Sequence, residues 1–589
     1  MSRRGTRRRR RPTPGSRPRS CRNRTRTPAP TRRLRSSRTS RTPPHGRDAP
    51  LIRDDLAAAL RTTLRTLEIE PLPEQIHLER PARREHGDWS SNVALATGKR
   101  AGWNPRELAG RIAEILNAEL PRHVRSVEIA GPGFVNFRLH DSWLHDVLVD
   151  VVDAGTDGFA RPHLGDGESV QLEFVSANPT GPLHVGNGWW CAYGDALARV
   201  MARCGYEVSR EYYVNDTGGQ IRRLGESVLA RRRGEDVPEG GYPGEYVAHL
   251  AAEFDGPDDP TEAGRFAAER ILVNIRETLE SVGIVFDEWF SQASIEESPA
   301  LDETLAQLRS SGLVFEKDGA LWLNTGDHGD PRGERVLKKS DAEGGDYTYL
   351  AGDIAYHRNK FLVRNFDHVI NVWGADHHGQ VASLKAGVAA LGIDPERLEV
   401  RLGQMISLAS GRIGKRLGNA IDFSDLIADI GPDATRFLSL TSSIDQPTTV
   451  DLDQVRSQTM ENPVFYVQYA HARICSIRKV AEEREVARRP VDEVDLSLLT
   501  HERELDVLRT LFELPETLAS ACVDRAPHRI TVWVRELAGR FHGFYHDCYV
   551  MGDDVPPELT QARLWLVEAA GVGLEIGLDL LGVSAPESM

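Results

Sequence analysis

VQLEFVSANPTGPLHVGNGWWCAYGDALARVMARCGYEVS, residues Val170 to Ser209, is the stretch on which the fold turns. It opens with a short apolar run, Val170 to Val175, that reads as a buried strand. A Pro/Gly loop carrying His184, Val185, Gly186 and Asn187 follows. Trp190, Tyr193, Leu197, Val200 and Cys204 then recur at the 3–4 spacing of one buried helix face. Gly205 is placed to end that helix in a left-handed conformation, and Glu207 to Val214 reads as the next strand. Strand, Gly-rich loop, helix and strand make a nucleotide-binding βαβ unit, whose helix N-terminus is free to receive phosphate.

Outward from this unit, 589 residues are too many for one core and imply three or four domains. No apolar run approaches the roughly 18 residues of a membrane span. The six cysteines are scattered without a CxxC pair. That speaks against structural zinc and a disulfide framework, and for a reducing, cytoplasmic setting. Residues 1–49 hold 18 Arg and one Asp, leaving 55 basic against 86 acidic residues of the totals of 73 and 87. The acidic body repels polyanions in general, so a nucleic acid would need a local patch.

The Arg-rich head, 1–49, has almost nothing apolar and cannot form a core. It reads as a disordered arm, a transit peptide or misread upstream codons; it lacks a transit helix's apolar face, so a disordered or spurious tail is favoured. From 50 to 155 the pattern is a small α+β domain. Leu56, Leu60, Leu64 and Leu67 form one helical stripe, and Asn104-Pro105 with Glu107 starts a second helix. Val127–Ile129 and Phe134–Leu139 read as strands joined by Gly131-Pro132-Gly133. A Rossmann-like parallel-sheet domain spans 156–450, with an insertion at about 221–335 that holds a helix from Glu262 to Val282 and a hairpin turning at Asp318-Gly319. Asp367–Trp373 and Leu398–Leu402 resume the parallel sheet, and 451–589 is an all-α bundle running to Leu580-Leu581. The fold class is a multidomain α/β chain.

Several groups carry candidate chemistry. His184 and Asn187 sit where a helix dipole and loop N–H groups converge on an anion, and an imidazole there can donate to a phosphate under attack. The loop Ser410 to Asn419, with Arg412, Lys415 and Arg416, is glycine-rich and cationic and could close over a triphosphate; a solvated basic loop is the bland alternative. Asp422 follows as the N-cap of a helix, with Asp425 three residues on. Glu173 ends the first strand region, and Tyr349 and Asp353 share a face if their segment is helical. Two carboxylates and a phenol suit a planar guanidinium with its fork of donors. Gly374, Asp376 and His378 follow a strand end, where ribose or adenine contacts occur in open α/β sheets. A metal at His377-His378 is disfavoured because adjacent side chains diverge. Tyr466, Tyr469 and Arg473 lie at helical spacing as a stacking face for unpaired bases or, equally, as core.

Taken together, SANPTGPLHVGNG (Ser176–Gly188), REYYVNDTGGQI (Arg210–Ile221), EHGDWSSNVA (Glu85–Ala94), GPGFVNFRL, WGADHHG, NPVFYVQYAHARI (Asn462–Ile474) and FYHDC (Phe544–Cys548) resemble the class I aminoacyl-tRNA synthetases, in the form used by the arginyl enzymes. The resemblance covers about Leu51 to Met589. It implies activation of L-arginine by ATP with Mg²⁺, then transfer to the 3′-terminal adenosine of tRNA-Arg by a monomer, with an N-terminal domain on the tRNA D-loop and the helical bundle on the anticodon. It implies that Glu173, Tyr349 and Asp353 hold the guanidinium, and Asn178 the amino-acid backbone end. His184, Gly186 and Asn187 fall to ATP, with Gly374, Asp376 and His378 at the nucleoside, and Lys415 with Arg412 in the mobile loop; no resident metal is implied.

The sequence departs from the family pattern in three places. Asn187 stands where histidine is commonest, and Arg-Ile-Gly-Lys-Arg (412–416) where Lys-Met-Ser-Lys is expected. Trp189-Trp190 replaces small or basic residues and is read as reshaping the pocket rim. Two alternatives follow: a tRNA-binding paralogue with little catalysis, and an adenylate-forming ligase acting on a small molecule. The full helical C-terminal region weighs against the second.

Overall fold

A computed structural model describes residues 52–81, 83–408, 421–457 and 459–589. Helix Ile52–Thr66 buries Ile52, Leu56, Leu60 and Leu64, and helix Pro105–Ala118 starts where Asn104 accepts a bond from the Arg106 N–H. They back an antiparallel sheet of order β1-β2-β4-β3, formed by β1 (Leu78–Glu79), β2 (Trp89–Ser91), β3 (Val124–Ala130) and β4 (Phe134–Leu139). The chain leaves through helix Ser142–Gly158, which bends at Gly155 (φ 60°). That helix packs on the C-terminal bundle, with Trp143 edge-on to Phe512 at 4.9 Å.

The central layer is a five-stranded, all-parallel sheet of β5 (Ser169–Glu173), β6 (Glu207–Val214), β7 (Glu288–Ser291), β11 (His368–Gly374) and β12 (Leu398–Gly403), in the order β12-β11-β5-β6-β7. β7 lies inside the span read as an insertion and completes the sheet edge. β5 stops at Glu173, short of the expected Val175, because Val175 and Ser176 adopt φ of 68° and 39° and turn the chain. For a β-branched valine this is a strained conformation. The signature helix is split into a turn, Val185–Gly188, and a helix, Cys191–Arg203, and Gly205 ends it at φ 91° as the sequence implied.

Hairpin β8 (Val314–Lys317) and β9 (Ala320–Asn324) turns at Asp318-Gly319, both at positive φ. A third strand not evident in the sequence, β10 (Glu334–Lys338), joins it. Strands β13 (Ile406–Leu408) and β14 (Thr448–Val450) pair in parallel. Helices Pro463–Glu483, Glu502–Phe512, Leu514–Val523, His528–Asp547 and Pro557–Leu581 form the bundle around Trp533, Phe541 and Phe544.

One buried side chain ties bundle to sheet domain. Arg436 bonds the Leu581 carbonyl (2.9 Å), the Val282 carbonyl (2.8 Å) and the carboxylate of Asp195 in the signature helix. Arg199 (2.8 Å) and Arg210 (3.1 Å) hold the same carboxylate. Among the described residues no helix is long and apolar enough to cross a membrane.

Candidate active site

The carboxyl end of β5 delivers two of the expected groups within a dozen residues: Glu173 on the strand, and His184 after the loop. The strained Ser176 links them to the sheet. Its hydroxyl donates to Glu173 Oε1 (3.2 Å) and accepts from the Tyr213 N–H (3.0 Å). Tyr212 fixes the loop at the Ala177 carbonyl (2.8 Å), and Tyr246 fixes it at Thr180 (2.6 Å). Asn178 is exposed and donates to Gln220 Oε1 (2.9 Å).

Segment 183–185 pairs with 421–423: the Phe423 N–H bonds the Leu183 carbonyl (2.7 Å) and the Val185 N–H bonds that of Ile421 (2.9 Å). This brings Asp422 against His184, Oδ1 to Nδ1 at 3.2 Å. Asp422 does occupy the N-cap position, but its side chain makes no capping bond, because the histidine claims the carboxylate. With Nδ1 engaged, an imidazolium has Nε2 as its second donor. Gly188 allows the close approach, since a Cβ there would lie 2.5 Å from the Phe423 ring. Gly186 and Asn187 are exposed on the same turn. Trp189 and Trp190 correct the expected rim: both are buried, and Trp190 bonds the Gln404 carbonyl (3.2 Å) and packs on Gly403. Large apolar rings on the covered side of the turn gain more from that core than from a wet rim. Arg412 and Lys415 lie outside the described residues.

Tyr349 and Asp353 are on one helix, Tyr349–Arg358, as their spacing required, and both line a cavity of about 460 Å³. Trp322, Glu334 and Arg335 of the hairpin sheet form its other wall. Tyr349 is 76% exposed, a rim group. Glu173 does not line the cavity: it is buried, with Oε2 on the ammonium of Lys360 at 2.6 Å. It nevertheless acts on Asp353. Burial first, then the Glu173 carboxylate, push the Asp353 carboxyl up to about 7, against an opposing pull from Lys360. Burial, Asp353 and Glu173 also raise the Tyr213 phenol. The two acids therefore share one electrostatic site.

Gly374, Asp376 and His378 are exposed at the carboxyl end of β11, next to β5. The Asp376 side chain folds back so that a Cβ on Gly374 would meet its Oδ1 at 2.5 Å. In the bundle, Tyr466, Tyr469 and Arg473 are half-buried. Tyr466 sits edge-on to His542 (4.7 Å), and the Arg473 guanidinium is sandwiched by Tyr469 (4.4 Å) and Tyr545 (4.6 Å). The trio is thus both packed and partly accessible.

Sequence reasoning missed Lys360, Asn371 and His357, which support the acidic pair. Asn371 alone left a signal, as a polar residue inside a buried apolar strand. Lys360 reads as a surface residue in Arg-Asn-Lys.

A parallel sheet whose central strand leads into a His-containing turn and an acidic pocket defines a class I aminoacyl-tRNA synthetase. Three family models match in order: "Arginyl tRNA synthetase N terminal domain" at 51–139, "tRNA synthetases class I (R), catalytic domain" at 266–469, and "DALR anticodon binding domain" at 467–589. The chain is 43% identical over 532 residues to an arginine–tRNA ligase of Carboxydothermus hydrogenoformans, covering 87% of this chain and 94% of that one. It is 42% identical over 553 residues to that of Moorella thermoacetica, covering 90% and 97%. The arginyl-tRNA synthetase structure of Thermus thermophilus shares the fold at a TM-score of 0.71 and 23% identity, covering 91% of this chain and 99% of that one. The chain belongs to the arginine–tRNA ligase family.

Proposed function

We propose that this chain couples cleavage of ATP to AMP and pyrophosphate with the esterification of L-arginine to tRNA-Arg. The arginine carboxylate attacks the α-phosphorus, the bond to the β-phosphate breaks, and pyrophosphate leaves. A hydroxyl of the tRNA's terminal ribose then attacks the adenylate carbonyl and releases AMP. Mg²⁺ enters with ATP as part of the substrate.

Asp353 and Tyr349 take the guanidinium, Glu173 acts from behind the cavity through its field on Asp353, and Asn178 takes the amino-acid backbone end. His184 and Asn187 stabilise charge at the α-phosphate, where one preorganised donor is worth on the order of 10²–10³ in rate. Gly186 leaves room for the nucleotide, since nothing lies within 4 Å of a Cβ built there. Gly374, Asp376 and His378 serve the nucleoside, and Arg412 with Lys415 the departing pyrophosphate. Tyr466, Tyr469 and Arg473 meet the tRNA, and the protein works as a cytoplasmic monomer. The observation that carries this reading is the phenol of Tyr349 and the carboxylate of Asp353 meeting on one helix face at a single cavity of about 460 Å³. Charging of total tRNA with labelled arginine tests it: ATP-dependent incorporation of arginine and not lysine is expected. Retained tRNA binding without charging would overturn it in favour of a non-catalytic paralogue.

A further inference from the structure

Beneath the arginine pocket lies a closed polar circuit that the proposed reaction does not use. Lys360 is fully buried, and its ammonium meets Glu173 Oε2 (2.6 Å), Asn371 Oδ1 (3.0 Å) and the face of Tyr356 (4.1 Å to the ring centre). Because Lys360 can only donate, Asn371 Oδ1 is the acceptor and its Nδ2 the donor. Nδ2 in turn meets His357 Nε2 at 2.8 Å, so that nitrogen must accept. His357 therefore carries its proton on Nδ1 and donates it to the Asp353 carbonyl (2.7 Å). The circuit runs from one pocket acid to the backbone of the other with every polarity fixed. Burial, then the nearby Lys360 charge, hold His357 neutral, as this direction requires.

We infer that Lys360 is a positioning residue for arginine selection: by neutralising Glu173 it leaves the pocket one net negative charge, that of Asp353, matched to one guanidinium. The inference rests on the proposed function and deepens it. The remaining charges around Asp353 are balanced elsewhere. Glu211 is held by both Arg364 guanidinium nitrogens and the Tyr356 hydroxyl, and Glu334 by Lys317 (2.8 Å). Asp216 accepts from Ser291 (2.5 Å) and the Ala293 N–H (2.9 Å), and Glu296 from Gln292 (2.7 Å). Arg335 and Tyr349 line the cavity, Tyr213 lies in the field of both acids, and Asp330 and Arg332 meet the lining Ser383 at 2.6 and 3.1 Å. An arginine at position 360 would not substitute, since its planar fork cannot meet two oxygens and a ring face from one centre. Without the ammonium nothing opposes the push of the Glu173 carboxylate on Asp353, and the Asp353 carboxyl rises further.

The test is arginine-dependent charging between pH 6 and 9 with three proteins: wild type, Lys360→Met, and Lys360→Met with Glu173→Gln. For Lys360→Met we expect KM for arginine at pH 7 to rise about tenfold or more, while KM for ATP holds and kcat changes far less. Its kcat/KM midpoint for arginine should move up by roughly half a pH unit or more. The double variant removes the whole ion pair, so no buried charge is orphaned, and its midpoint should return toward that of wild type. An unmoved midpoint in Lys360→Met, or equal losses for arginine and ATP, would overturn the inference while leaving the function intact. Should that variant not fold, a double-variant midpoint well above that of wild type overturns it instead. A wild-type chain that charges no arginine overturns the proposed function, and the inference with it.

Discussion

Replacing Arg436 by methionine tests whether one guanidinium joins the bundle to the signature helix. The methionine keeps most of the stem volume, so little packing is lost. What disappears are the bonds to the Leu581 and Val282 carbonyls, at 2.9 and 2.8 Å, in a side chain with 2% exposure. A buried polar group left without its partner costs about 1–3 kcal/mol. Asp195 is not orphaned, because Arg199 and Arg210 remain on it. Two carbonyls left at that cost each make the expected loss about 2–6 kcal/mol. Urea unfolding of the full chain would register it as a lowered midpoint. The pH dependence has a definite sign. Burial works to raise the Asp195 carboxyl, but Arg436, Arg199 and Arg210 outweigh it and hold the group below its usual value. Its contribution is then complete above the unfolded value near 3.9 and fades only as pH falls through the depressed folded value. The deficit of the variant should be equal at pH 6 and pH 8. A loss below about 1 kcal/mol, or one that changes between those two values, would refute the assignment of Arg436 as the tie.

His184→Ala should lower pyrophosphate exchange by on the order of 10²–10³, with a urea midpoint close to wild type, because the exposed pairing with Asp422 adds little stability; equal damage to both would mark a structural histidine. With the Asp353 carboxyl at about 7, its ionised fraction grows about tenfold from pH 6 to pH 8, and kcat/KM for arginine should grow with it. A flat profile across that window would remove Asp353 from guanidinium binding. Gly188→Ala places a Cβ 2.5 Å from the Phe423 ring. That should cost about 1–3 kcal/mol and displace Asp422 from His184, measured together by urea unfolding and exchange; a variant like wild type in both would show that the 421–423 segment yields freely.

What was legible in the sequence was local. Asn104-Pro105 starts its helix, Asp318-Gly319 turns its hairpin, and Gly205 ends the signature helix, because each needs only the conformational preference of its own residues. Strand β5 was legible as an apolar run but not in its length, since the bend at Val175 is imposed by the loop that Tyr212 and Tyr246 tie down. β7 and β10 were missed for a related reason: short edge strands take their conformation from a neighbour, and Glu-Trp-Phe-Ser has no period of its own. Tyr349 and Asp353, singled out as a phenol and a carboxylate on one helix face, do meet at one cavity, while Glu173 stands behind it. The supporting charges were not legible, and could not be, since an ion pair 187 residues apart in the chain leaves no local pattern.

That division follows from how a charged pocket must be built. A buried acid aimed at a cation is unfavourable until the cation arrives, so the empty site has to be held by groups that offset its charge without filling its mouth. Lys360 does this for Glu173 from the covered side, while Asp353 lies at the cavity with its affinity for protons raised. On the proposed function the substrate's guanidinium takes the place of that proton, and the second carboxylate contributes to selection in place of repulsion. A lysine substrate would bring the charge and lack the fork, leaving acceptors unpaired at a cost of up to about 10⁴–10⁵ in kcat/KM. On the proposed reading the residues that recognise arginine are only half of the device, and the other half is the buried ammonium that lets two acids stand together before arginine binds.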